Sequence, residues 1–126
     1  MLILAGNTLS STSQLPQPTI EWLRNADVVV FEEDRGARAA LKRAGVTRDY
    51  LKWNEHHDKG AWEEVTAALS QDRTVLYMPD QGMPGSADPG AKLAAHAHTN
   101  QIPIKVLPGP TSIAVSYTHL TLPTKA

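Results

Sequence analysis

Residues 80–90, DQGMPGSADPG, carry the pattern best suited to holding a small molecule. Glycines permit a close backbone approach, and prolines stiffen the chain between them. Such a loop offers backbone N–H and C=O groups to a polar ligand. The same residues also allow a plain turn in which Asp88 caps the helix that follows. Because Gly-Lys-Ser/Thr is missing, the loop is not a phosphate-binding P-loop.

A second charged block, residues 32–38, follows an apolar run. In a structural interpretation, Asp34 caps the next helix and the arginines are solvated. In a functional one, Glu32 makes a polar contact, and Arg35 or Arg38 anchors a phosphate or carboxylate.

Residues 54–58, NEHHD, contain groups that could act as acid, base or metal ligand. Adjacent histidines point in different directions and rarely bind one metal alone. His96 and His98 lie two residues apart on a predicted helix, which places them on different faces. No metal site is therefore predicted, but Glu55 or His56 could face a cleft.

Composition narrows the class of protein. The 126 residues suit one domain, with 41% hydrophobic and 20% charged residues, as is typical of globular proteins. The absence of cysteine excludes thiol nucleophiles and disulfides.

No apolar run approaches the roughly 18–20 residues of a membrane span, so a cytoplasmic location is expected. A net charge of −1 gives no overall signature of a nucleic-acid binder. No Gly-x-Ser-x-Gly motif indicates a hydrolase.

Short apolar runs alternate with segments of helical periodicity. Strands are predicted at residues 1–5, 27–31, 50–53, 74–78 and 102–107. Helices are predicted from Pro18 onward and at residues 35–44, 61–69 and 91–97, with Gly45 as a C′ glycine. Residues 7–18 and 79–90 are predicted loops.

This order predicts an α/β fold with a mainly parallel sheet and helices on both faces. Ligands of such sheets bind outside the carboxyl ends of the strands. Four loops are therefore of interest, those after Ala5, Phe31, Met78 and Leu107.

Taken together, the loops resemble those of the tetrapyrrole-methylase superfamily, and within it the RsmI-type 2′-O-ribose methyltransferases of small-subunit ribosomal RNA. The similar blocks are residues 4–7 (LAGN), 32–38 (EEDRGAR), 53–57 (WNEHH), 80–90 and 107–112 (LPGPTS). They occur in the family's order and spacing.

The resemblance implies an S-adenosylmethionine-dependent methyltransferase of two domains, normally a homodimer. The cofactor would lie between the domains, and this chain would be the N-terminal domain, residues 1–116. The expected substrate is a ribose of small-subunit ribosomal RNA.

The resemblance also assigns roles to residues by position. Methyl transfer needs an in-line approach of the ribose oxygen, which a base would assist, and Glu55 or His56 is the candidate. The residues implied for the cofactor are Gly82, Gly85, Ser86, Asp88, Pro108, Gly109 and Thr111. Those implied for the substrate are Gly6, Asn7, Glu32, Arg35 and Arg38.

Two departures bear on the substrate. Gln81 and Met83 stand where the family has alanine and threonine, and residues 8–13 lack the acidic residue of the RNA-methylating members. A tetrapyrrole or another substrate is the alternative. The porphyrin and corrin enzymes, however, usually open with a longer glycine-rich loop after the first strand.

Residues 117–126 resemble a translated sequencing adapter and are expected to be a non-native tail. The native frame would then continue into a C-terminal domain that this chain lacks. A further alternative follows for the chain as it stands, an inactive fragment that binds neither cofactor nor RNA.

Overall fold

The computed structural model describes residues 1–7, 14–54, 59–80 and 88–108, apart from the side chains of residues 59, 88 and 89. Strands and helices alternate along these ranges, as the sequence predicts. In chain order the elements are β1 (Leu2–Ala5), α1 (Gln17–Asn25), β2 (Val28–Phe31), α2 (Asp34–Ala44), β3 (Leu51–Lys52), α3 (Lys59–Ser70), β4 (Val75–Met78), α4 (Asp88–Thr99) and β5 (Ile104–Leu107).

The strands form one sheet in the order β3-β2-β4-β1-β5, and every neighbouring pair is parallel. Tyr77 of β4 lies opposite Leu4 of β1 on one side and Val30 of β2 on the other. All five strands therefore end at the same edge of the sheet. The predicted mainly parallel sheet is confirmed.

Each face of the sheet has its own hydrophobic core. Alternate residues of a strand point to opposite faces, so Ile3 and Ala5 pack with α1 and α2, whereas Leu2 and Leu4 pack with α3 and α4. Burying one large apolar side chain contributes about 1.5–3 kcal/mol. Helices on both faces, as predicted, shield the apolar strands β1, β2 and β4 from water.

Helix α2 lies close to the sheet because its inner side is built from small residues. Ala37 and Ala40 are fully buried there. The helix ends at Gly45, whose φ of 69° is the left-handed conformation that glycine adopts without strain. The predicted C′ glycine is confirmed.

Several predicted boundaries are shifted by one to three residues, and two of these shifts have a clear reading. Helix α4 begins at Asp88 rather than residue 91, because Pro89 is tolerated in a first turn whose N–H groups need no helical partner. The predicted loop 79–90 is correspondingly shorter. Strand β5 begins at Ile104 rather than residue 102, although the Pro103 carbonyl still accepts a hydrogen bond from the Leu2 N–H at 2.9 Å. Among the described helices, none is both long and apolar enough to cross a bilayer.

Candidate functional site

The carboxyl edge of the sheet brings together polar residues from four strand ends. Asn7 follows β1, Glu32 follows β2, Asn54 follows β3 and Asp80 follows β4. The helix after β2 packs on one face of the sheet, whereas the helix after the adjacent β4 packs on the other. Such a switch between neighbouring strands opens a crevice at the carboxyl edge, where ligands of α/β folds bind.

Asn7 links the ends of β1 and β4. Its side chain is only 3% exposed. The Asn7 Nδ2 donates to the carbonyls of Pro79 and Asp80, both at 2.9 Å, and its Oδ1 accepts from Arg43 Nη2, also at 2.9 Å. This buried amide therefore holds the backbone at the point where the chain leaves β4.

Asp80 is held from the β2 side as well. Its backbone N–H donates to Glu32 Oε1 at 2.9 Å. Gly36 of α2 faces the Asp80 carboxylate so closely that a Cβ on Gly36 would lie 2.8 Å from Asp80 Cγ. Only glycine fits at position 36 without displacing the Asp80 side chain.

The crevice around Asp80 carries negative charge and is partly buried. Burial, followed by the charges of Glu32 and Glu33, raises the pKa of Asp80. Burial also raises the pKa of Tyr77, with Glu32 and Asp80 adding to it. Asp80 Oδ1 is buried and has no hydrogen-bond partner among the described residues. This oxygen is also the atom nearest to a Cβ built on Gly36, so it faces α2.

Asn54 completes the polar edge next to β2. Its Nδ2 donates to the Glu32 carbonyl at 3.1 Å and to Glu33 Oε1 at 3.2 Å. The end of β3 is thereby joined to the acidic block.

The interpretation of Asp34 as a helix cap is wrong. Asp34 is the first residue of α2, and Glu33 before it makes no side-chain capping bond. The Asp34 carboxylate instead accepts from the Tyr50 hydroxyl at 2.7 Å and from Lys52 at 2.9 Å. The Tyr50 hydrogen bond, followed by that of Lys52, lowers the pKa of Asp34. Asp34 therefore ties β3 to α2.

The described part of the chain contains several predicted site residues. Gly6 is buried, and its N–H donates to the Leu107 carbonyl at 2.8 Å. Arg35 and Arg38 are exposed on α2, and Pro108 is exposed after β5. Asp88 is the first residue of α4. The predicted residues that lie outside the described ranges are Glu55, His56, Gly82, Gly85, Ser86, Gly109 and Thr111.

The two histidines of α4 lie on different faces, as predicted. His96 is half-buried against Trp62, with ring centroids 5.4 Å apart, whereas His98 is exposed. His96, Trp53 and Trp62 line a groove of about 810 Å³ between α3 and α4. Over the described ranges, no group of three or more His, Cys, Asp or Glu is arranged to hold a metal.

Arg43 and Asp80 were not predicted as site residues. Asp80 could have been found, because an acidic residue directly after a buried parallel strand points to the ligand-binding edge. Arg43 had no such signal, since one arginine late in an alanine-rich helix is typical of a solvated surface.

Comparison with known proteins places this edge in context. Residues 1–125 match the family model described as Tetrapyrrole (Corrin/Porphyrin) Methylases. A protein of Mesorhizobium japonicum named Ribosomal RNA small subunit methyltransferase I is 30% identical over 125 residues, which are 99% of this chain and 42% of that protein. Proteins of the same name from Coprothermobacter proteolyticus and Thermotoga maritima are 30% and 25% identical over 94% and 89% of this chain.

The matches differ in how much of each protein they cover. They take in 54% of the Coprothermobacter protein and 50% of the Thermotoga protein, so the chain spans about half the length of the curated relatives it matches. The family match also extends into the segment 117–126.

Proposed function

This chain belongs to the tetrapyrrole methylase family, and from that membership we propose that it is the N-terminal half of an S-adenosylmethionine-dependent methyltransferase. The proposed substrate is a ribose hydroxyl of small-subunit ribosomal RNA. One observation carries this proposal, namely that relatives named Ribosomal RNA small subunit methyltransferase I align with nearly all of the chain.

The crevice beside Asp80 fits the methyl donor. S-adenosylmethionine supplies a methyl group on a positively charged sulfur, together with an ammonium and ribose hydroxyls. The negative charge of the carboxylates around Asp80 complements such a ligand. In the proposed site the cofactor is held by Gly82, Gly85, Ser86, Asp88, Pro108, Gly109 and Thr111.

The substrate is proposed to lie beside β1 and β2. Arg35 and Arg38 are exposed one turn apart on α2, where guanidinium groups can pair with phosphates. The side chains of Asn7 and Glu32 hold the backbone at the end of β4. The Gly6 N–H likewise holds the end of β5. By their position in the family pattern, these three residues are proposed for the substrate side. Glu55 or His56 is the proposed base for the ribose hydroxyl.

The proposed enzyme is larger than this chain. It comprises residues 1–116 and a C-terminal domain, acts as a cytoplasmic homodimer and binds the small ribosomal subunit. Residues 117–126 are proposed to be a non-native tail. Re-reading the source DNA from an adapter-free amplicon tests this, because the frame should continue for roughly another domain of about 100–150 residues. A frame that ends at Ala126 would overturn the proposed tail.

The activity is tested by transfer of labelled methyl from S-adenosylmethionine to small ribosomal subunits that lack the modification. We expect label in a ribose of the RNA. Label in a tetrapyrrole instead would establish the alternative substrate, and label in neither would refute both.

The cofactor site is tested by Gly82→Val in the same enzyme. We expect a folded protein that no longer binds cofactor, since a branched side chain blocks close backbone approach. Gly60→Ala is the matched control, because nothing lies within 4 Å of a Cβ at Gly60. Unchanged affinity in Gly82→Val would show that the site is misplaced.

The 126-residue chain alone should give no saturable heat when cofactor is titrated into it. Micromolar binding would show that cofactor binding needs no second domain.

A further inference from the structure

Arg43 lies in the last turn of α2 and belongs to none of the motifs in the sequence. Its Nη2 donates to Asn7 Oδ1 at 2.9 Å, in partly buried surroundings. Burial lowers the pKa of the Arg43 guanidinium. Withdrawing a cation from water is unfavourable unless it is hydrogen-bonded, and the bond to Asn7 offsets part of that cost.

The bond from Arg43 favours one orientation of the Asn7 amide. With Oδ1 turned to the guanidinium, Nδ2 points at the carbonyls of Pro79 and Asp80 and donates to both. A flipped amide would set an N–H₂ group against Arg43 and an oxygen against two carbonyl oxygens. Both contacts would be repulsive, so the Arg43 cation and the two carbonyls together select the orientation that holds the end of β4.

Helix α2 contacts the same segment at a second point. Gly36 touches the Asp80 side chain. Arg43 lies seven residues, or two helical turns, further along the same face, with the fully buried Ala40 between them. One face of α2 thus supports Pro79 and Asp80 both directly and through Asn7.

We infer that Arg43 is a positioning residue for cofactor binding, because through Asn7 it fixes the backbone from which the chain enters residues 81–87. The inference rests on the proposed function, which assigns Gly82, Gly85 and Ser86 to the cofactor. Arg43 itself need not touch the ligand.

The first experiment measures cofactor affinity in the two-domain enzyme by calorimetry. Arg43→Met should weaken S-adenosylmethionine binding about tenfold, the effect of losing one hydrogen bond to a charged group. Arg24→Met is the matched control, since Arg24 is an exposed cation in the last turn of α1. Arg43→Lys keeps a donor and should stay within about threefold of the wild type.

The mechanism is tested by coupling. Adding Arg43→Met to Asn7→Leu should weaken binding little further, because the proposed route from Arg43 to the Pro79 and Asp80 backbone runs through the Asn7 amide. Additive losses would mean that Arg43 acts by another route.

The second experiment uses the 126-residue chain and needs no ligand. The Asp80 amide donates to Glu32, and its hydrogen exchange should be about tenfold faster in Arg43→Met than in Arg24→Met. The Leu76 amide of β4 reports global stability in the same sample and should exchange alike in both variants.

The outcomes separate the two proposals. If the wild-type enzyme binds no cofactor, the proposed function fails, and hydrogen exchange still decides whether Arg43 holds the backbone. If the wild type binds and Arg43→Met binds as well as Arg24→Met, the inference is overturned while the function stands. Equal exchange of the Asp80 amide in both variants would also overturn it.

Discussion

At the scale of single residues, the site depends on space and charge around Asp80. Gly36 leaves room for the Asp80 carboxylate, and Glu32 binds the Asp80 N–H while its charge raises the Asp80 pKa. The Asp80 side chain is therefore closely packed against Gly36, and the charge of Glu32 disfavours its ionised form. Each property leads to a different experiment.

Gly36→Ala should destabilise the protein relative to Gly60→Ala. Both glycines lie in the first turn of a helix, so alanine gains similar helix propensity at each. Only at Gly36 does the added Cβ meet another group, Asp80. The free energies of unfolding in urea should differ by about 1–3 kcal/mol, the usual effect of overpacking. Equal stabilities would mean that the Asp80 side chain moves aside freely.

Asp80→Asn should stabilise the protein at neutral pH. A raised carboxyl pKa means that the folded state binds the proton more tightly than the unfolded state, so wild-type stability falls as pH rises from the ordinary value of 3.8 through the raised one. Asparagine does not titrate there. Partial exposure screens the effect, so a gain below about 1 kcal/mol is expected. Urea unfolding at neutral pH and again below 3.8 checks this, since the difference must vanish in acid.

At the scale of elements, side chains join the ends of helices and strands. Arg48 lies between α2 and β3, and its Nη1 donates to the carbonyls of Leu23 at 3.0 Å and Ala26 at 2.7 Å, at the end of α1. These carbonyls have no partner within the helix. One guanidinium thus terminates α1 and holds the approach to β3.

Arg48→Lys should lower the free energy of unfolding by about 1–2 kcal/mol, because an ammonium cannot reproduce the spread of a guanidinium over several carbonyls. Arg73→Lys, at an exposed position, is the control and should change stability by less than about 0.5 kcal/mol. Thermal or urea unfolding of both variants measures these changes in the free energy of unfolding. Equal effects would show that charge alone matters at Arg48.

Sequence patterns were sufficient to predict the elements but not the bonds between them. The alternating runs predicted every strand, and Gly45 predicted the end of α2, because both signals are local. Asn7–Arg43 and Glu32–Asp80 join residues 36 and 48 positions apart. No local periodicity predicts such pairs. Asn7–Arg43 depends on how α2 crosses the strand ends, and Glu32–Asp80 depends on β2 and β4 being neighbours, both of which are set by the tertiary fold.

At the scale of the whole molecule, acidic and basic groups lie next to each other at the carboxyl edge of the sheet. The crevice at the carboxyl edge is acidic, whereas Arg35 and Arg38 on α2 present cations beside it. The proposed cofactor, which is positively charged, and the proposed RNA substrate would thereby meet separate surfaces of one small domain, even though the net charge of the chain is only −1.

Replacing Arg35 and Arg38 together by glutamine should weaken RNA binding by the two-domain enzyme and reduce its salt dependence. Each lost phosphate contact should flatten the slope of log K against log salt by about 0.7–0.9. Arg73→Gln is the control, because Arg73 precedes β4 at the opposite edge. Filter binding at several salt concentrations gives the slopes. An unchanged slope would place the RNA elsewhere.

The strand order also determines when each strand can find its partner during biosynthesis. β1 is made first, yet its two neighbours in the sheet are β4 and β5, the last strands to emerge. At about 5–20 residues per second, the ribosome needs on the order of 4–14 s to add the roughly 70 residues between β1 and β4. During that interval a fully apolar strand lacks both of its neighbours in the sheet, so among the described strands β1 waits longest for a partner and most needs protection by a chaperone.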